Sequence, residues 1–191
     1  MTVRVMLVSP AMNPAIRNAR FDEDSSLDPT GLRQARAAAN SLPRADRYLS
    51  APSARCRETA GALGLDAPAT TGLRDLDVGD WKGRTLDEVT ATDPRAVAAW
   101  LTEPTAAPHG GESTSGLTDR IGAWLDGQNT QSGRVLAVVD PAVVRAAVVH
   151  ALGLPPAAFW RLDVRPLSLT TLTGRSGRWN LRCGVPLLPA P

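Results

Sequence analysis

Apolar and polar positions follow two periods along this chain, and the switches between them mark out the elements. The apolar block Val5 to Val8 stops at Ser9-Pro10, which predicts a short buried strand running into a loop. Asp28-Pro29 then offers an N-cap and a proline at the first helical position, and Leu32, Ala35, Ala39 and Leu42 recur at helical spacing until Pro43. Tyr48-Leu49-Ser50 predicts a second strand, leading through Pro52 into a helix that reaches Leu63 and is ended by Gly64. Between Asp66 and Trp81 turn formers dominate and no period holds, so an excursion over one edge of a sheet is expected there. Thr85 to Val89 and Pro94 to Leu101 read as short helices inside it. Ser113 can cap a helix reaching Leu125, with Leu117, Ile121 and Trp124 on one face. Val135 to Val139 is wholly apolar and rich in β-branched residues, as a strand buried on both faces of a parallel sheet must be. A helix from Ala142 to Leu152, ended by Gly153, follows. Ser168 to Leu172 and Arg178 to Leu181 flank the Gly174 to Gly177 turn as a hairpin.

This alternation predicts a three-layer α/β/α sandwich with a mostly parallel central sheet, the first strand near its centre and an antiparallel strand at one edge. One domain over residues 1–191 is expected, with residues 66–112 forming a lid over the pocket. In such a sheet ligands gather beyond the carboxyl ends of the strands, here the loops after Val8, Ser50 and Val139.

Composition narrows the chemistry. The 191 residues are 43% hydrophobic and 21% charged, with a formal charge of +2 and basic residues scattered along the chain, so neither nucleic acid nor a membrane is an expected partner. The opening apolar segment is too short for a signal-peptide core, and no run approaches about 18 apolar residues, which predicts a cytoplasmic protein. Cys56 and Cys183 lack the paired spacing of a zinc site and suit a reducing compartment, with a single bond between them left open. Only two histidines, His109 and His150, are present. That excludes metal sites built from several imidazoles, and neither a metal nor a cofactor is expected.

Four segments together give the chain a resemblance to the histidine phosphatase superfamily, the phosphoglycerate-mutase-like group. Leu27 to Ala35 resembles the family's helix entry, and Ser50-Ala51-Pro52-Ser53-Ala54-Arg55 with Thr59-Ala60 resembles its Ser-Pro-x-x-Arg-x-x-x-Thr-Ala segment. Leu73 to Gly83 is similar to its Leu-x-Glu-x-x-x-Gly-x-Trp-x-Gly loop, and Gly110-Gly111-Glu112-Ser113 to its Gly-Gly-Glu-Ser turn. The resemblance puts Ser9-Pro10-Ala11 where the family has Arg-His-Gly, and Asp140 where its second essential histidine opens the run that ends here in Val143-Val144-Arg145. It puts the usual acid/base glutamate on Asp75, shorter by one methylene.

The expectation drawn from these positions is a degenerate member lacking both catalytic histidines: a pseudoenzyme or repurposed protein, not competent for phosphohistidine chemistry, that keeps a small-molecule site in a vestigial pocket. The alternative is an enzyme using Asp75 and Asp140 as general acid and base on a non-phosphorylated small molecule, as an isomerase, cyclase or lyase. An active phosphatase or mutase ranks last. The candidate catalytic residues are Asp75 and Asp140, and the candidate ligand-binding residues are Ser9, Pro10, Asn13, Arg20, Arg55, Trp81, His109 and Glu112. The expected partner is a small molecule of unknown identity, with a homodimer or association with a homologue as a further possibility. Cys56, between Arg55 and Arg57, is read first as a buried helix residue and only second as a nucleophile.

Overall fold

The computed structural model describes residues 2–128, 132–175 and 177–187. Among these residues five strands form one sheet: β1 (Val3–Val8), β2 (Arg47–Ser50), β3 (Gly133–Val138), β4 (Ser168–Arg175) and β5 (Arg178–Pro186), in the order β2-β3-β1-β4-β5. β1 is central. It runs parallel to β3, with Val5 opposite Val135, and antiparallel to β4, while β2 is parallel to β3. The hairpin β4-β5 closes the other side, so β5 is the antiparallel edge.

Each long helix begins and ends where its sequence allows. A short helix α1 (Pro14–Arg17) follows β1, and Asp28 caps α2 (Pro29–Ala38), its carboxylate accepting from the amide of Gly31 at 2.6 Å. α3 (Ala54–Ala62) is followed by Gly64 at φ 74°. α7 (Pro141–Leu152) starts on Asp140-Pro141 and ends at Gly153 in the left-handed region. The excursion after β2 carries two short helices, α4 (Leu86–Thr92) and α5 (Pro94–Thr102). α6 (Thr114–Gln128) follows it, with Leu117, Ile121 and Leu125 buried and Trp124 only partly so.

The helices flank the sheet in the three-layer arrangement the pattern predicts. Val5, Leu7, Val8 and Leu136 to Val139 have no solvent exposure, as required of strands covered on both faces. α6 and α7 meet closely at Gly122, where a methyl group would overlap the ring of His150. That ring bonds to Asp126 at 2.9 Å, so His150 belongs to the helix pair. Both cysteines are free thiols, Cys56 buried and Cys183 exposed on β5. No helix among the described residues is long and apolar enough to cross a membrane.

Candidate active site

The parallel strands β1, β2 and β3 end on one side of the sheet, and a pocket of about 620 Å³ opens near there. Its centre is Arg55, on the first turn of α3 and only 5% exposed. Three aspartates from three separate segments surround this guanidinium. Asp140, at the end of β3, accepts from Nε at 2.6 Å; Asp75, in the excursion, accepts from a terminal nitrogen at 3.2 Å; Asp22, in the loop after β1, lies 3.8 Å from Nε. Burial works against the arginine's charge, but Asp140 and then Asp75 more than offset it, and its pKa is raised.

The two candidate acids occupy different environments. Asp140 has no solvent exposure, and Ser53 Oγ donates to it at 3.0 Å, so it clamps Arg55 from behind. Asp75 sits deep in the concave wall while about a third of its side chain (35%) stays open to the cavity. Desolvation and then the charge of Asp140 push its carboxyl up to about 7, against the lowering pull of Arg55. At neutral pH it exists in both forms, the condition for giving and taking a proton.

Around this centre the lining divides in two. Ile16, Phe21, Trp100, Trp160 and Val164 form an apolar, largely aromatic wall, whereas Arg20, Arg74, Arg145 and Lys82 bring cations and Asp22, Asp24 and Asp77 carboxylates. The loop carrying Asp22 and Asp24 is internally tied. Asn13 Nδ2 donates to Asp22 at 2.6 Å, and Asp24 accepts from the amide of Ala54 at the start of α3 at 2.5 Å. Lys82 holds Asp77 at 2.7 Å and lowers its pKa.

Of the residues singled out from the sequence, Arg20, Arg55 and Asp75 line the cavity and Asp140 stands directly behind Arg55. Six others lie off its surface. Ser9 is fully buried, bonded to Ser168 and to the carbonyl of Arg165, and Pro10 is buried beside it. Asn13 caps a short helix through the amide of Ile16. Glu112 is held by Arg120 at 2.7 Å. Trp81 and His109 belong to a packed aromatic cluster with Phe21 and Trp100, His109 being 1% exposed with its centroid 5.1 Å from Trp81's. Burial lowers the His109 pKa. Cys56 is buried next to Arg55, and desolvation followed by Asp140 pushes its thiol well up, which removes the nucleophile reading. Asp22, Asp24, Ser53, Arg145 and Trp160 were missed. Ser53 and Arg145 sit inside the motif segments, where their place beside Arg55 and Asp140 was the available signal.

Residues 12–184 match the histidine phosphatase superfamily (branch 1). The chain is 35% identical over 147 residues to the glucosyl-3-phosphoglycerate phosphatase of Mycolicibacterium vanbaalenii, a match covering 69% of this chain and 65% of that protein. It is 29% identical over 126 residues to the adenosylcobalamin/alpha-ribazole phosphatase of Salmonella typhimurium, covering 62% of each. The matches thus span less than two thirds of these curated relatives. The native structure of a mycobacterial glucosyl-3-phosphoglycerate phosphatase superposes with a TM-score of 0.85 at 26% identity, covering 97% of this chain and 100% of that one. Relatives named as phosphatases overturn the expectation of a pseudoenzyme or of acid/base chemistry on a non-phosphorylated molecule. That expectation rested on Ser9-Pro10-Ala11 and Asp140, yet phosphoryl transfer demands chiefly positioning and charge stabilisation, and Arg55 and the Asp75 carboxyl still meet at 3.2 Å on the pocket wall. The chain belongs to the histidine phosphatase superfamily, branch 1.

Proposed function

We propose that this chain is a phosphomonoesterase acting on a small phosphorylated molecule, with Arg55 binding the phosphoryl group and Asp75 transferring the proton. The observation that carries this reading is the Arg55–Asp75 contact, a guanidinium and a carboxyl 3.2 Å apart at the open face of the pocket. Phosphatase activity in the relatives supports it, and a volume of about 620 Å³ suits a substrate of small-molecule size.

The finer part of the proposal is that this member works without the two catalytic histidines of its family. Its support is that the sequence resemblance puts Pro10 and Asp140 at the corresponding positions, while His109 is packed among tryptophans and His150 is bonded to Asp126. The reaction would then run by direct displacement. Arg55 stabilises the equatorial oxygens, and protonated Asp75 delivers its proton to the ester oxygen as the P–O bond to the alcohol breaks. Water forms the new P–O bond opposite the leaving oxygen and its proton goes to a phosphoryl oxygen or to solvent, giving the alcohol and inorganic phosphate, and solvent then reprotonates Asp75. Asp140 is the positioning residue that fixes Arg55. Residues 66–112 are the lid in this reading, contributing Arg74 to Val78, Lys82 and Trp100 to the lining. Two unpaired thiols favour the cytoplasm as its compartment.

Release of inorganic phosphate from a panel of phosphomonoesters, including p-nitrophenyl phosphate, tests the proposal. Asp75→Asn is expected to lower kcat by about 10²- to 10⁴-fold on substrates with poor leaving groups, and less on p-nitrophenyl phosphate, whose leaving group needs little protonation. Phosphate release no faster than that of Arg55→Met across the panel would overturn it.

A further inference from the structure

Among the described residues five cations line the pocket, and four of them already have an acidic partner. Arg55 is surrounded by Asp140, Asp75 and Asp22; Lys82 holds Asp77; Arg20 lies 3.6 Å from Glu88; Arg74 lies 3.6 Å from Glu112. Arg145 alone forms no ion pair among the described residues. It projects from α7, one and a half turns after Asp140, and is held as a recognition element would be. Its Nε donates to the carbonyl of Leu162 at 2.8 Å, and its guanidinium carbon lies 5.8 Å from the centre of the Trp160 ring. Trp160 is itself braced against Trp100, with ring centroids 4.3 Å apart and its Nε1 donating to the Trp100 carbonyl at 3.3 Å. The guanidinium is thereby held through its Nε edge by backbone and against an aromatic face, at a position that lines the cavity. Burial lowers the Arg145 pKa, and Asp163 and Asp75 offset this only from a distance, so an arriving anion would relieve a poorly compensated charge.

We propose that Arg145, backed by Trp160, is the specificity residue that binds a second anionic group, a carboxylate, on the phosphomonoester whose phosphoryl group sits at Arg55. This rests on the phosphomonoesterase reading of the same pocket. The chemistry favours a carboxylate because a fixed guanidinium presents paired donors that a planar two-oxygen acceptor matches, with short charge-assisted bonds.

The probe pairs are 2-phosphoglycolate against ethyl phosphate and 3-phosphoglycerate against glycerol 3-phosphate, which offer the carboxylate at two reaches from the phosphate. Affinity is read by tryptophan fluorescence, since Trp160 lies under Arg145, and turnover by phosphate release. The intact chain is expected to bind at least one carboxylated probe about tenfold or more tightly than its partner. Arg145→Met, which keeps an aliphatic stem against Trp160, should abolish that preference while changing affinity for the uncharged-tail partner less than about threefold. Arg145→Ala should do the same if it folds. Equal affinity within both pairs, no binding of any probe, or a preference that survives Arg145→Met would overturn the assignment. Binding preference without turnover of any probe would count against the phosphomonoesterase reading and leave the Arg145 assignment standing, so the two fail separately.

Discussion

Asp75 shows how a residue legible in the sequence acquires a property that is not. The resemblance of Leu73 to Gly83 marks its position, but its titration depends on Asp140 and Arg55, which arrive from segments far away along the chain. Its sign is testable. Because the native pKa is raised from the ordinary 3.8 to about 7, the folded chain binds this proton more tightly than the unfolded one. Its contribution to stability is therefore complete below about pH 4 and is lost as the pH rises through 7. Urea midpoints measured between pH 5 and pH 8 should fall as pH rises, and Asp75→Asn should flatten that slope; an unchanged slope would refute it. Arg55 carries the complementary prediction. Asp140 is wholly buried and Arg55 nearly so, so Arg55→Ala leaves a carboxylate without its cation and should cost about 3–5 kcal/mol in urea unfolding. Arg55→Met combined with Asp140→Leu should recover much of that loss, because the uncompensated buried charge is gone.

Among the elements, boundaries were easier to read than the contacts between loops. The apolar blocks, the Asp28 start and the Gly64 and Gly153 stops all carry local signals, and the structure places helices and strands within a few residues of them. The lid side is different. Gly79 and Gly110-Gly111 are visible as turn formers, but their pairing is not, since it joins residues 29 and 35 positions apart. The Asp80 amide donates to the His109 carbonyl at 2.9 Å, and the Glu112 amide donates to the Asp77 carbonyl at 2.7 Å. Glycine is needed at both crossings. Gly79 has φ 45°, and a methyl group there would overlap the His109 carbonyl; one on Gly111 would overlap the Asp77 carbonyl. This close seam is what buries His109 and turns a candidate ligand into a brace, its Nδ1 accepting from the Gly111 amide at 3.0 Å. Gly111→Ala should part the two loops and cost about 1–3 kcal/mol, and by displacing the Asp75 to Asp77 segment it should lower kcat by more than an exposed control such as Gly127→Ala. Activity and melting temperature both equal to the control would show that the seam is not needed.

For the whole molecule, the central place of β1 was readable because its run is short, apolar and first, but the full strand order was not. Order depends on which strand edges meet, and the alternation of helix and strand leaves several parallel arrangements open until β4 is seen to return antiparallel beside β1. That order puts α3 over β3 and carries Cys56 into the core next to the Arg55–Asp140 pair, while Cys183 stays exposed on the edge strand. The two thiols therefore report different scales of opening. Cys183 can react with an aromatic disulfide reagent in the native state. Cys56 has no exposed surface and a thiol pushed well above its usual range by burial, so its reaction requires α3 and the sheet to separate. With folding free energies of about 5–15 kcal/mol, a group freed only by global unfolding should react at least about 10³-fold more slowly than an exposed one. Native-state labelling should thus consume one thiol promptly and the second with a rate that rises with urea along the global unfolding curve. Prompt labelling of both, or a Cys56 rate indifferent to urea, would mean that the layer carrying Arg55 opens independently of the sheet, and the pocket would then be a mobile feature instead of a fixed one.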